Sequence, residues 1–102
     1  DMDFGNLSSF LSIFPLRKET EGLYTYILAR IRREPTKFSR QEVRKFLKRM
    51  IRGSSTWNRL AAYKLGIILF GKRFASPADQ DSSRIIRQWA RSLAEGPQEE
   101  LF

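Results

Sequence analysis

Apolar residues recur at intervals of three and four along most of this chain, and this spacing limits the fold to helices packed against one another. Alternation at every second residue, which indicates a half-buried strand, forms no convincing stretch. The pattern divides into five helical segments. We therefore predict an all-α fold, a compact bundle of four main helices with a short amphipathic helix at the N-terminal side.

The chain length limits the number of domains. A chain of 102 residues can bury one hydrophobic core, because dividing its apolar residues between two cores would leave both too small. We predict a single helical domain over residues 1–96 and a flexible, acidic and apolar tail over residues 97–102.

The third helix has the clearest sequence signature. Ser39 and Glu42 have the spacing of a capping box, in which side chains satisfy the free backbone N–H groups at a helix start. Gly53 follows the last apolar position and predicts the end of the helix. The apolar stripe of this helix comprises Val43, Phe46, Leu47, Met50 and Ile51.

The first two helices are bounded by proline. The first has a helical apolar pattern over residues 7–14, and Pro15 ends it. The second is predicted to run from a cap at Thr20 to about Arg33, because Pro35 disfavours helical backbone at the residue before it.

The fourth and fifth helices supply much of the expected core. The fourth, capped by Ser54 or Ser55, is apolar around most of its circumference and is expected at the centre of the bundle. The fifth is predicted to start over residues 76–79, with Pro77 at the first helical position, and to bury Ile85. We expect one core that contains Phe46, Trp57, Leu65, Ile68, Ile86 and Trp89.

The composition argues against an enzyme. The chain has no Cys and no His, which removes thiolate nucleophiles, imidazole bases and the usual zinc ligands. Its acidic pairs, Glu19 with Glu21, Asp79 with Asp81 and Glu99 with Glu100, lie at predicted helix starts or in the tail, where they stabilise helix dipoles or stay solvated. We predict no catalytic residue, no cofactor, no metal and no small-molecule substrate. The lack of cysteine gives no sign of secretion, and we expect an intracellular location in the cytoplasm or nucleus.

Positive charge is concentrated in the middle of the chain. The net charge is +8, and residues 17–73 hold sixteen Lys and Arg against four acidic residues. Thirteen of the nineteen cations are Arg, whose planar fork of donors suits phosphate and also suits carboxylates on a protein. This balance favours a polyanionic partner.

The third helix presents its cations on the side opposite its apolar stripe. At about 100° per residue, five cations gather on one face with no acid among them, and these are Arg44, Lys45, Lys48, Arg49 and Arg52. We predict that this face and its neighbours bind the phosphate backbone of nucleic acid, DNA or RNA, with little sequence readout. The predicted binding residues are Arg30, Arg32, Arg33, Lys37, Arg40, Arg44, Lys45, Lys48, Arg49 and Arg52.

Other readings of the basic segment stay open. The face could be a solvated surface that keeps the protein soluble. The second and third helices could form a helix-turn-helix, with Arg40, Gln41 and Arg44 at the start of the recognition helix. Phe38 and Phe74 lie beside cations and could stack on unpaired bases, although Phe38 is also placed to pack on Val43 as a hydrophobic staple.

The N-terminal segment supports a different class of function, a non-catalytic adaptor or regulatory module, including a viral one. Its acidic and apolar pattern could dock into a groove on a partner protein or pack on its own bundle. The candidate docking residues are Phe4, Leu7, Phe10, Leu11 and Phe14. The size, helix number and basic middle are also similar in architecture to retroviral matrix domains, an analogy that no motif carries and that implies contact with an anionic membrane surface.

Overall fold

Each predicted helix is present in the computed structural model, and four of the five begin within a residue or two of the predicted start. The structure describes residues 7–95, apart from the side chains of Ser8, Ala94 and Glu95. The helices are α1 Leu7–Ile13, α2 Glu21–Arg33, α3 Arg40–Met50, α4 Thr56–Phe70 and α5 Arg84–Glu95. Since no residue of this range lies in a strand, the all-α prediction is confirmed.

Local capping sets the starts of α3 and α4. The Ser39 hydroxyl accepts a hydrogen bond from the Glu42 backbone N–H at 3.3 Å, as the capping-box spacing predicts. Ser55, rather than Ser54, accepts from the backbone N–H of Asn58 at 3.2 Å. These bonds satisfy donors that the first turn of a helix leaves free.

The predicted start of the fifth helix is wrong. Residues Lys72–Gln80 form a 3-10 segment, and α5 begins at Arg84. Pro77 lies inside this 3-10 segment rather than at a helix start. Ala75 and Ala78 are both buried, and their separation of three residues is the period at which a 3-10 helix brings side chains to one face. The prediction of four main helices and one short helix therefore omitted a structural element.

The core consists of two hydrophobic clusters that meet at α4. The larger cluster joins α1, α2 and α3 to one side of α4, and the smaller joins the other side to the 3-10 segment and α5. The hydroxyl of Tyr24 ties the end of α1 to α2 by donating to the carbonyl oxygens of Phe10 and Phe14. The radius of gyration, 13.3 Å, is the value of about 13 Å expected for a compact chain of this size.

Three residues predicted to be buried are exposed. Trp57 is 66 % exposed, Ile68 is 52 % exposed, and Ile85 of α5 is also exposed. The two clusters bury two sides of α4 and leave a third stripe, on which positions 57 and 68 lie three helical turns apart. Of the other predicted core residues, Phe46, Leu65 and Ile86 are buried and Trp89 is partly buried.

Two of the predictions lie outside the described residues 7–95, and these are the docking residue Phe4 and the tail over residues 97–102. Within the described range, no helix combines the length and the apolar character that crossing a bilayer requires.

Burial decides how the fold responds to a new carboxylate. Leu47 is fully buried, so Leu47→Asp should unfold the protein, because an unpaired buried charge costs several kcal/mol of a total stability of about 5–15 kcal/mol. Ile68→Asp places the same charge on the exposed stripe and should cost only about 1 kcal/mol, because an acid in the last turn of α4 opposes the helix dipole but stays in contact with water. Thermal melts followed by circular dichroism test both variants, and a cooperative native melt of Leu47→Asp would contradict the assigned core.

Candidate nucleic-acid interface

A row of four cations runs along the exposed side of α3 and into the turn that follows it. Arg40, Arg44, Lys48 and Arg52 recur every fourth residue and are all exposed. A helix rises 1.5 Å per residue, so neighbouring cations of the row are about 6 Å apart along the axis. The opposite side of α3 is buried in the larger cluster, which fixes the direction in which the row faces. We call these four residues the basic row.

The basic row borders a groove whose second wall is the end of α4 and the first half of the 3-10 segment. This groove, the basic groove, has a volume of about 510 Å³. Arg44, Lys48 and Arg52 line one side, and Arg73 adds a fourth cation from the second wall. Among the described residues that line it, none is acidic. Its full lining is Arg44, Lys48, Ile51, Arg52, Phe70, Arg73, Phe74, Ser76 and Pro77.

Phe70 stands where the basic groove meets a second cavity. This cavity, about 420 Å³, is lined by Arg40, Gln41, Arg44 and Phe70. The guanidinium carbon of Arg40 lies 4.7 Å from the centroid of the Phe70 ring, and that of Arg44 lies 5.9 Å from it. Arg40 also donates a hydrogen bond to the carbonyl oxygen of Leu69. These contacts join the start of α3 to the end of α4 across the groove.

The second wall is shaped by two glycines and one buried ring. Gly71 has a φ of 94°, a conformation that favours glycine, and it turns the chain from α4 into the 3-10 segment. Phe74 then packs so closely on α4 that a Cβ at Gly66 would overlap its ring. The Phe74 ring stacks on Phe70, with centroids 5.9 Å apart and planes at 29°. Phe74 is buried, so its role is to support Phe70 rather than to offer a free ring.

A buried ion pair fixes the far end of the second wall. Arg59 on α4 binds Asp81 with two hydrogen bonds, of 3.1 and 3.0 Å, and the side chains are 9 % and 5 % exposed. Arg59 also donates to the carbonyl oxygens of Gly53 and Ser54. The Asp81 carboxylate accepts the backbone N–H of Ser83 at 2.8 Å, next to the start of α5. Asp81 was expected at a helix start, where it would stabilise the helix dipole or stay solvated, but it is part of a buried network.

The network lowers the pKa of Asp81. Burial alone raises the pKa of this carboxyl group, but the hydrogen bonds from Arg59 and Ser83 and the positive charges of Arg59 and Arg87 outweigh burial and hold the pKa below its usual value. Asp81 is therefore ionised in the folded protein at neutral pH.

The other predicted phosphate-binding residues do not line the basic groove. Arg30 and Lys37 both pair with Glu34, at 3.0 and 2.9 Å, and the hydrogen bond from Lys37 helps to lower the pKa of Glu34. Arg32 lines a separate cavity between α2 and α4. Three more predicted residues are exposed elsewhere, and these are Arg33, Lys45 and Arg49. Four of the ten predicted residues thus form the basic row.

Sequence reasoning missed two residues of the groove. Arg73 is not among the predicted binding residues, and Phe70 belongs to the apolar fourth helix that was expected at the centre of the bundle. Gly71 marks the helix end in the sequence, so the chain turns between these two residues. That turn indicates that the residues after it leave the α4 axis, but it does not indicate which helix they approach.

The N-terminal docking residues divide between the core and the surface. Leu7 and Leu11 are buried in the larger cluster, as expected if α1 packs on its own bundle. Phe10 is partly buried and Phe14 is 39 % exposed. Phe38 is buried in the same cluster as Val43, in agreement with its placement as a hydrophobic staple.

No protein family, curated protein or solved structure matches this chain. The geometry of the described residues therefore carries the functional argument.

The Asp81 network predicts a dependence of stability on pH. The lowered pKa means that the ion pair stabilises the fold fully above the unfolded pKa of about 3.9 and that this contribution is lost as the pH falls through the lower folded pKa. Asp81→Asn should cost about 3 kcal/mol at pH 7, because Arg59 keeps a buried charge without its partner, and should weaken the loss of stability in acid.

Urea denaturation at pH 7 and at pH 3 measures both effects. Asp79→Asn is the matched control, because Asp79 is exposed two residues earlier in the chain. Equal midpoints for the two variants at pH 7 would show that the ion pair contributes nothing to stability.

Proposed function

We propose that this protein binds nucleic acid by contacting the phosphate backbone in the basic groove, with little readout of sequence. The observation that supports the proposal is the convergence of cations from two walls, the basic row on α3 and Arg73 on the 3-10 segment. Four cations line the basic groove and Arg40 lines the neighbouring cavity, and no described lining residue of either is acidic. Such a surface attracts a polyanion, and binding is favoured by the entropy of the counterions that the polyanion releases.

The arrangement of the cations suits a chain of phosphates better than a single anion. Cations about 6 Å apart along the helix axis meet successive charges of a linear polyanion. Arg side chains can donate two parallel hydrogen bonds to one phosphate, and three of the four residues in the basic row are Arg. We propose no catalytic role for the groove.

The concave shape favours nucleic acid over an anionic membrane as the partner. A membrane surface is broad and meets only the rims of a groove, whereas a strand can enter it and contact both walls. Peripheral membrane helices also place large apolar side chains beside their cations, for insertion among the lipids. In the basic groove the aromatic rings of Phe70 and Phe74 are partly or fully buried. The location we propose is the cytoplasm or nucleus, where nucleic acid is available.

The first test of this function is the salt dependence of binding. If the four groove cations, Arg44, Lys48, Arg52 and Arg73, contact phosphates, the logarithm of the affinity should fall with the logarithm of salt with a slope of about −3, at 0.7–0.9 per contact. Fluorescence anisotropy with a labelled oligonucleotide between about 50 and 200 mM salt measures this slope. No binding to any polynucleotide at about 50 mM salt would refute the function, and binding to anionic liposomes alone would replace it with a membrane role.

Charge reversal locates the contact surface. The triple variant Arg44→Glu, Lys48→Glu, Arg52→Glu should lose polynucleotide binding at about 100 mM salt, while its melting temperature stays close to that of the parent, because all three side chains are exposed. The matched control is Lys18→Glu, Arg84→Glu, Arg91→Glu, which makes the same change in net charge at exposed positions outside the groove. Equal losses of affinity in the two triple variants would show that net charge, and not the groove, determines binding.

A further inference from the structure

Phe70 is a partly exposed aromatic ring at the centre of the cationic surface. It lines both the basic groove and the neighbouring cavity, so it is accessible from each. The buried Phe74 ring supports it from the core. Arg40 and Arg44 place their guanidinium groups 4.7 and 5.9 Å from its centroid. A supported ring among cations is the arrangement by which proteins hold an unpaired base next to its phosphates.

From this juxtaposition we infer that the basic groove takes single-stranded nucleic acid, with one base stacked at the Phe70 ring and its flanking phosphates on Arg44, Lys48 and Arg52. The inference rests on the proposed function and adds the strandedness of the ligand. A base in a duplex has both faces covered by its neighbours, and only an unpaired base has a face free to stack on a side chain.

The second wall also argues against a duplex. A helix that reads duplex DNA enters the major groove, which is about 12 Å wide, and a helix with its side chains is itself about 10–12 Å across. The basic row of α3 is instead bordered along Arg44 to Arg52 by residues 70–77. Since these residues stand beside the helix, α3 and its neighbouring wall together are too wide for the major groove. A flexible single strand has no such restriction.

The contacts of Arg40 fit a role in stacking. Its guanidinium group donates to the Leu69 carbonyl oxygen and lies over the Phe70 ring, so this planar cation is held in place before a ligand arrives. Bases stack on guanidinium planes as well as on aromatic rings. Arg40 thereby covers part of the Phe70 ring and offers its own guanidinium plane to a base there, while Arg44, Lys48 and Arg52 remain for phosphates.

The test compares Phe70→Leu with the parent and with Phe14→Leu. Phe14 is a partly exposed residue that follows α1 and does not line the basic groove. The probes are poly(dT) carrying 2-aminopurine, whose fluorescence falls when the base stacks, and the corresponding duplex at the same salt concentration. The parent should bind the single strand more tightly than the duplex and should quench 2-aminopurine.

Phe70→Leu should weaken single-strand binding roughly 5- to 100-fold and abolish the quenching, with the salt slope unchanged because no phosphate contact is lost. Phe14→Leu should behave like the parent, and Phe70→Tyr should retain tight binding, which separates loss of the ring from a folding defect. Melting temperatures of all variants accompany the titrations.

The outcomes distinguish this inference from the function on which it rests. If the groove triple variant loses binding while Phe70→Leu binds and quenches as the parent does, stacking is refuted and backbone binding stands. Tighter binding of the duplex than of the single strand by the parent also refutes the inference. If the parent binds neither probe, the proposed function itself is wrong.

Discussion

The ion pair between Arg59 and Asp81 is the interaction on which the second half of the structure depends. Burying two charges is costly unless each finds enough hydrogen-bond partners, and here the guanidinium group reaches the carboxylate and two carbonyl oxygens of the turn before α4. Asp81 in turn holds the N–H of Ser83 and, through its own carbonyl oxygen, a hydrogen bond from Arg87. The network thus joins the start of α4, the end of the 3-10 segment and the start of α5. The wall that carries Arg73 is fixed at this end.

Features with local causes could be predicted from the sequence. The start of α3 depends on Ser39 and the residue three positions later, and its exposed and buried faces follow from helical periodicity alone. The start of α5 could not be predicted in this way, because it depends on Asp81 meeting Arg59, twenty-two residues away. The exposure of Trp57 and Ile68 has a similar origin. A helix that is apolar all round does not reveal which of its sides other elements will cover.

The candidate site also combines features with local causes and features that depend on contacts between distant parts of the chain. The basic row could be predicted, because three of its members share one face of α3 and Arg52 follows them at the same spacing. Arg73 and Phe70 could not, because the fold brings them to α3 from positions twenty or more residues later. The pairing of Glu34 with Arg30 and Lys37 was visible in the sequence, since the spacings of four and three residues are those at which charges meet on helical turns. These spacings would have removed Arg30 and Lys37 from the predicted phosphate-binding residues.

The position of the basic groove over the junction of the two hydrophobic clusters has a thermodynamic consequence. The helix that carries the basic row is packed in the larger cluster, whereas the second wall has Phe74 in the larger cluster and Ala75 and Ala78 in the smaller. A ligand that touches both walls therefore binds only those molecules in which both clusters are folded. By mass action, its binding free energy stabilises the state in which both clusters are folded relative to a state in which only the larger one is folded. The two clusters then melt as one unit over a range of conditions in which the free chain could lose the smaller cluster first.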